Sequence, residues 1–316
     1  PQSVEGTVTK ERLKEFNPLF TLRYSATHRK DSLYNMIYRL DAMEAYNKKL
    51  VKKIAVKGIS ISGSTATEGY VYLESINVSS DNPTATIEFD KKGTKNIRKV
   101  RHIVKEGHNL FDRSEELEAY RDGYTVLKID GRDSSIEFIN GIKLYVGDVI
   151  GAVSEDHLRR IQIRETILSH LEQERRLFAK GIKVLSLFFI DEVAKYKQYD
   201  AKGQAQNGPY ADMFEEEYKE IFGRMQLEFS DAPAYLSYLE GISPGATHAG
   251  YFSIDKRSRR LVDSKLGDRR ERTSDDVDAY DLIMRDKERL LGRAEPVRFI
   301  FSHSALREGW DNPNVF

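Results

Sequence analysis

Two adjacent carboxylates raise the first chemical question in this chain. Val184–Ala194 reads VLSLFFIDEVA, so Asp191 and Glu192 directly follow a run of apolar residues. A buried strand ending in such a pair can hold Mg2+ against the phosphates of a nucleotide, as in nucleotide hydrolases. That chemistry also needs a glycine-rich loop of the form GxxxxGK[ST], whose amides and lysine neutralise phosphate charge. No such phrase occurs between Pro1 and Phe316. VLSLFFIDE therefore reads more simply as a buried parallel strand, apolar throughout, with acidic residues in the turn or cap that follows it.

Three other residue sets could do work. Ser25-Ala26-Thr27, in RYSATHR, puts two hydroxyls at the end of an apolar stretch. Hydroxyls exchange hydrogen-bond partners cheaply, which suits a relay between two sites, but a local Ser/Thr turn would use them equally well. In SALREGWDNPNV, Gly309 would let a backbone approach a phosphate and Ser304 offers a hydroxyl after a strand. Trp310, the sole tryptophan, reads as a packed anchor beneath that loop. The third set is basic: Lys91, Lys92, Lys95, Arg98, Lys99, Arg101 and Lys105, with no acidic residue after Asp90. Such a hairpin could track a phosphate backbone, or its lysines could protect a solvated β-edge from aggregation.

Other candidates are weaker. Asp212 with Glu217-Tyr218-Lys219 mimics part of a nuclease pattern, but its glutamate-rich surroundings predict a helix surface. His248 and Tyr251 in HAGYFSID read as structural. There is no H-E-x-x-H or other metal spacing, and the absence of cysteine excludes thiolate catalysis and fits a reducing cytosol. No metal-ligating or catalytic residue is assigned within the chain.

These residues must be positioned by about two domains' worth of chain, with 316 residues and a 40% hydrophobic composition adequate for real cores. Fifty basic and fifty acidic residues cancel, so affinity for nucleic acid must come from a local patch. No apolar run approaches the roughly 20 residues of a membrane span, and there is no signal-peptide pattern. Three textures follow one another. In residues 1–51, Phe20, Leu22 and Tyr24 alternate as in a strand, and Leu33, Ile37 and Leu40 recur at helical spacing. Residues 52–154 carry short β-rich runs broken by turn signals, predicting a small antiparallel sandwich or barrel, with Asn140-Gly141 the strongest hairpin signal. From Glu155, a long amphipathic helix closed by Gly181, the strand VLSLFFI, two more helices and the strand VRFIFS predict a parallel sheet with helices on both faces. DKRSRRLVDSKLGDRRERTSDD reads as a mixed-charge solvated loop.

Read together, LRYSATH, GIKVLSLFFID, HAGYFSID and FSHSALREGWDNPNVF resemble the Res subunits of Type III restriction enzymes, members of helicase superfamily 2. The resemblance spans both outer regions and is weakest in the β-rich middle. It implies an α/β fold: the end of a first RecA-like domain with motif III (1–51), an inserted β-rich small domain (52–154), and a second RecA-like domain with motifs IV and V (155–316). It further implies that Gln2, Ser25, Ala26, Thr27, Gly309 and Asp311 couple to the nucleotide, with Asp311 near the ribose. Ser304 and Arg307 would contact DNA. From its charge run alone, and not from the resemblance, the basic hairpin with Lys95, Arg98, Lys99 and Arg101 is expected to touch DNA or the methyltransferase subunit. ATP and Mg2+ belong to the full-length protein, with duplex DNA and a methyltransferase subunit as partners in the cytoplasm. Pro1-Gln2 resembles the end of a Walker B motif, and both ends of the chain look cut, so an excised, inactive motor segment is expected. Two other readings stay open: a different superfamily 2 DNA or RNA helicase, and a non-enzymatic binding module centred on the β-rich region.

Overall fold

Period-two alternation builds the β-rich region. In the computed structural model, which describes residues 6–24, 35–52, 56–61, 69–78, 82–228, 232–254, 261–262, 283, 286–303, 312 and 314–315, strands β2 (Val71–Asn77), β3 (Thr84–Lys92) and β4 (Ile97–Val104) form an antiparallel meander. With β1 (Ser60–Ile61) and β8 (Asp148–Ile150) they make a five-stranded sheet of order β1-β8-β2-β3-β4. Val71, Leu73, Ala85, Ile87, Phe89 and Val104 all face one core. That core is closed by a second sheet of β5 (Val126–Asp130), β6 (Ser135–Phe138) and β7 (Lys143–Tyr145), through Val126, Ile129, Ile136, Phe138 and Leu144. The two sheets share this core face to face, as a sandwich. The Asn140-Gly141 hairpin joins β6 to β7, with Gly141 at φ +83° and the Asn140 side chain accepting from the Ile142 amide at 3.1 Å. Strand β8 was not expected: at three residues it is too short to show a period.

Helix α4 (Glu155–Phe178) follows, capped by Ser154, whose hydroxyl accepts from the His157 amide at 3.2 Å. Gly181, at φ +75°, turns the chain after it. Three strands, β9 (Ser186–Phe189), β12 (His248–Tyr251) and β15 (Phe299–Ser302), then form a parallel sheet of order β12-β15-β9. A parallel bridge from Leu185 to Val315 extends it beyond β9. Both faces are covered, which explains the continuous apolar runs. Phe188, Phe299 and Phe301 pack with α4, α5 (Pro209–Glu228) and α6 (Pro233–Glu240) on one side. Leu185, Leu187 and Ile300 pack with Ile283, Leu290 and Val297 on the other. The mixed α/β class is thus the observed one, with the layout of a RecA-like domain in the parallel sheet.

By contact density the chain divides into two units, Pro1–Gly58 and Ile59–Phe316, so the β-rich sandwich and the α/β layer fall in one unit. The first unit departs from expectation. Helix α1 spans Thr7–Lys14 with no buried residue. Where the helical spacing of Ile37 and Leu40 was expected to give a helix, residues 35–41 are not helical, and Leu33 lies outside the described residues. Helix α2 spans only Ala42–Asn47, started by the Asp41 side chain on the Glu44 amide. Residues 20–24 are not a strand; Phe20, Leu22 and Tyr24 are exposed. A strand exists only when a neighbour satisfies its backbone groups, and the described residues of this unit contain no other strand. Among the described residues, no helix is long and apolar enough to cross a membrane.

Candidate functional site

Parallel pairing brings the carboxyl ends of β9, β12 and β15 to one edge of the α/β layer: Ser302 is in register with Phe189 on one side and Tyr251 on the other. In open α/β sheets this edge is where ligands bind. Two polar groups there are buried with no hydrogen-bond partner among the described residues, the Ser302 hydroxyl and Nδ1 of His303. Ser304, Arg307, Gly309 and Asp311 come next in sequence but lie outside the described residues, as do Trp310, Gln2, Ser25, Ala26 and Thr27.

Asp191 and Glu192 leave the same edge in a bend that runs into a 3-10 turn, Val193–Lys195. Asp191 is taken by Lys195 at 2.5 Å, and Glu192 is 59% exposed. Burial opposes ionisation of Asp191, but the Lys195 hydrogen bond and charge together with the backbone amides of Asp191 and Glu192 outweigh it and hold the carboxyl below its usual range. A carboxylate already neutralised by its own turn, with no phosphate loop beside it, does not fit a Mg2+-nucleotide ligand set. The pair is a turn, as the simpler reading of the sequence had it. No step through ATP is assigned to these two residues.

The basic hairpin divides by strand face. Lys95 and Arg98 are exposed. Lys99 lies 3.0 Å from Asp90, with its ammonium 3.4 Å from the centre of the Tyr70 ring. Arg101 corrects the sequence expectation: its side chain is only 7% exposed and pairs with Glu74 at 3.5 Å and with Glu220. A guanidinium enclosed by carboxylates is not presented to a phosphate backbone.

Arg101 belongs to a buried polar face that sequence reasoning missed. Where Val71, Leu73, Ile87 and Phe89 enter the sandwich core, the alternate residues Tyr72, Glu74 and Glu88, with Tyr70 just ahead of β2, face α4 and α5. Arg164 of α4 stands at the centre. Its Nη1 donates to Glu88 at 2.7 Å and its Nε to Glu217 of α5 at 2.7 Å. All three side chains are 3% exposed. Glu88 also accepts from the Tyr70 hydroxyl at 2.7 Å and lies 2.6 Å from Nε2 of His157. Burial would raise the Glu88 carboxyl, but His157 and Arg164 outweigh it and bring it down to about 2. Glu217, expected on a helix surface, is therefore buried, and Arg160 also reaches it at 3.2 Å. The only sequence signal was the alternation of Tyr70, Tyr72 and Glu74 opposite an apolar face, which a solvated sheet face would share.

Two histidines are structural. His248 lies 2.8 Å from the Tyr196 hydroxyl, and burial lowers its pKa despite Glu215. His170 of α4 lies 2.9 Å from the Ser186 hydroxyl, its ring packed on Phe299 at 4.2 Å. Ser186 is thereby engaged in a core hydrogen bond. Among the described residues, no cluster of three or more histidine or acidic side chains could hold a metal ion.

Comparison with known proteins places these features in context. The chain is 32% identical over 317 aligned positions to the EcoP15I Res subunit of a Type III restriction-modification enzyme from Escherichia coli, an alignment covering 98% of the chain and 29% of that protein. It is 30% identical to the EcoPI Res subunit of Escherichia phage P1 over the same shares, and 28% identical to the StyLTI Res subunit of Salmonella typhimurium over 88% of the chain and 27% of that protein. The chain thus spans less than a third of the length of these curated relatives. No protein-family model and no solved structure matches it.

Proposed function

Given that the chain belongs to the Res-subunit family of Type III restriction-modification enzymes, we propose that it is a motor segment of an ATP-dependent DNA translocase. In this reading residues 1–51 end a first RecA-like domain, 52–154 are an insertion, and 155–316 form most of a second RecA-like domain. Its task is to couple the nucleotide state to the grip on duplex DNA ahead of cleavage. Ser25, Ala26 and Thr27, with Gln2, Gly309 and Asp311, serve the nucleotide side. Ser304 and Arg307, with Lys95 and Arg98 from the insertion, serve the DNA side. ATP, Mg2+ and the nuclease are supplied by the full-length protein, working with a methyltransferase subunit in the cytoplasm.

The observation that supports this reading is similarity along nearly the whole chain to Res subunits, joined to a parallel sheet whose carboxyl edge leads into Ser304–Asp311. The test uses the full-length protein with its methyltransferase subunit. Arg307→Ala should lower DNA-stimulated ATP turnover at least about tenfold, the loss of one charge-assisted contact. Thr27→Ala should leave ATP turnover within about twofold while abolishing displacement of an oligonucleotide blocking the DNA track. Wild-type behaviour of both variants in both assays would refute the proposal.

A further inference from the structure

The buried polar face between the sandwich and helices α4 and α5 is densely paired, with Nη2 of Arg101 held by charge and not by a hydrogen bond. Arg164 uses three donors on two acids from different layers, Glu88 of β3 and Glu217 of α5, at 2.7, 2.7 and 3.3 Å. Around it, Arg101 of β4 reaches Glu217 and Glu220 of α5, and Arg224 of α5 reaches Glu74 of β2 at 3.4 Å. The Tyr72 hydroxyl donates to Glu165 of α4. Ile161 of α4 packs among Tyr70, Tyr72 and Val149. Moving one layer on the other would strand several buried charges at once, each unpaired in a low dielectric. Charged interfaces also define register sharply, because a shifted guanidinium loses both forks together.

We propose that the β-rich sandwich and the α/β layer, as far as their described residues go, move as one rigid body, with Arg164 the positioning residue that clasps the β-rich insertion to the α/β layer through Glu88 and Glu217. The insertion is then a fixed extension of the α/β layer and not an independently swinging module. This does not depend on the motor reading: the clasp is geometry within one compact unit, whatever that unit does.

The chain has no cysteine, so Lys95→Cys on the sandwich and Lys202→Cys in the turn between β10 (Lys197–Tyr199) and β11 (Ala205–Asn207) place two spin labels without further changes. Both positions are exposed. Electron-spin distance measurement on the otherwise wild-type chain should give one narrow distribution, unchanged between about 0.1 and 1 M salt because buried pairs escape screening. In Arg164→Ala, with the far-ultraviolet circular dichroism unchanged, the distribution should widen at least about twofold and become salt-sensitive. The isosteric Glu217→Gln variant should widen it in the same direction. Should Arg164→Ala fail to fold, the width in Glu217→Gln decides. A broad or two-peaked distribution in the wild type would overturn the proposal, and so would variants as narrow as the wild type.

Discussion

His170 shows what burial does to a single residue. It is fully enclosed, and desolvation, helped by Arg298 and Lys183 and opposed by Glu174, pushes its pKa down from 6.5 to about 4. It is therefore neutral in the folded chain at neutral pH, held as a neutral imidazole against Ser186. The unfolded chain binds the proton more readily between these two values, so folding stability is complete above pH 6.5 and falls as the pH drops towards 4. The expected loss across that window is on the order of 3 kcal/mol. Urea unfolding at a series of pH values should show this slope, and His170→Gln should flatten it. At this scale the sequence was only partly legible. His248 could be read as structural from its apolar neighbours. Arg101 and Glu217 could not, because their partners lie far away in the sequence and their own surroundings look solvated.

Helix α4 carries the argument at the scale of elements. Its length and the turn at Gly181 just beyond it follow from the sequence, yet it serves two neighbours: Ile161 packs on the sandwich, while Ile163, Ile167 and Leu171 enter the α/β core. A helix buried on two sides needs its start fixed, and Ser154 fixes it. Ser154→Ala should destabilise the chain by about 1 kcal/mol, read as a lowered urea midpoint at unchanged slope. Ser154→Asp should restore most of it. The periods of β2, β3 and α5 were legible because each has one apolar face, and α4 was legible from its length and the glycine that follows it. The expected strand at Phe20–Tyr24 failed because alternation reports a face and not a pairing partner. Strand β8 escaped notice for the opposite reason: it is set by pairing with β1 and β2 and not by its own pattern.

For the whole molecule, the buried junction predicts how the larger unit unfolds in acid. Glu88 sits near pKa 2 in the folded chain against an ordinary 4.5. Its contribution is present above pH 4.5 and is lost as the pH falls from 4.5 towards 2. The sandwich and the α/β layer should therefore lose their mutual packing in this window, below the one set by His170. Near-ultraviolet circular dichroism should fall there in the wild type, while Glu88→Gln should begin weakened and show a smaller fall, the remainder coming from Glu217, whose carboxyl Arg164 also holds low. The α/β class was legible from the alternation of helices and apolar strands. The fusion of the sandwich and the α/β layer into one unit was not, because a polar interface leaves no hydrophobic signature.

Lys183 has a wider consequence. Its ammonium, buried just ahead of β9, donates to the carbonyls of Leu290 at 2.8 Å, Gly292 at 3.1 Å and Glu295 at 2.5 Å. The chain is thereby pinned immediately before β15, more than 100 residues downstream in sequence. The start of β15 thus takes its address from a side chain at the mouth of β9 and not from its neighbours in sequence, so replacing Lys183 alone should loosen a strand that lies next to β9 in space and far from it along the chain.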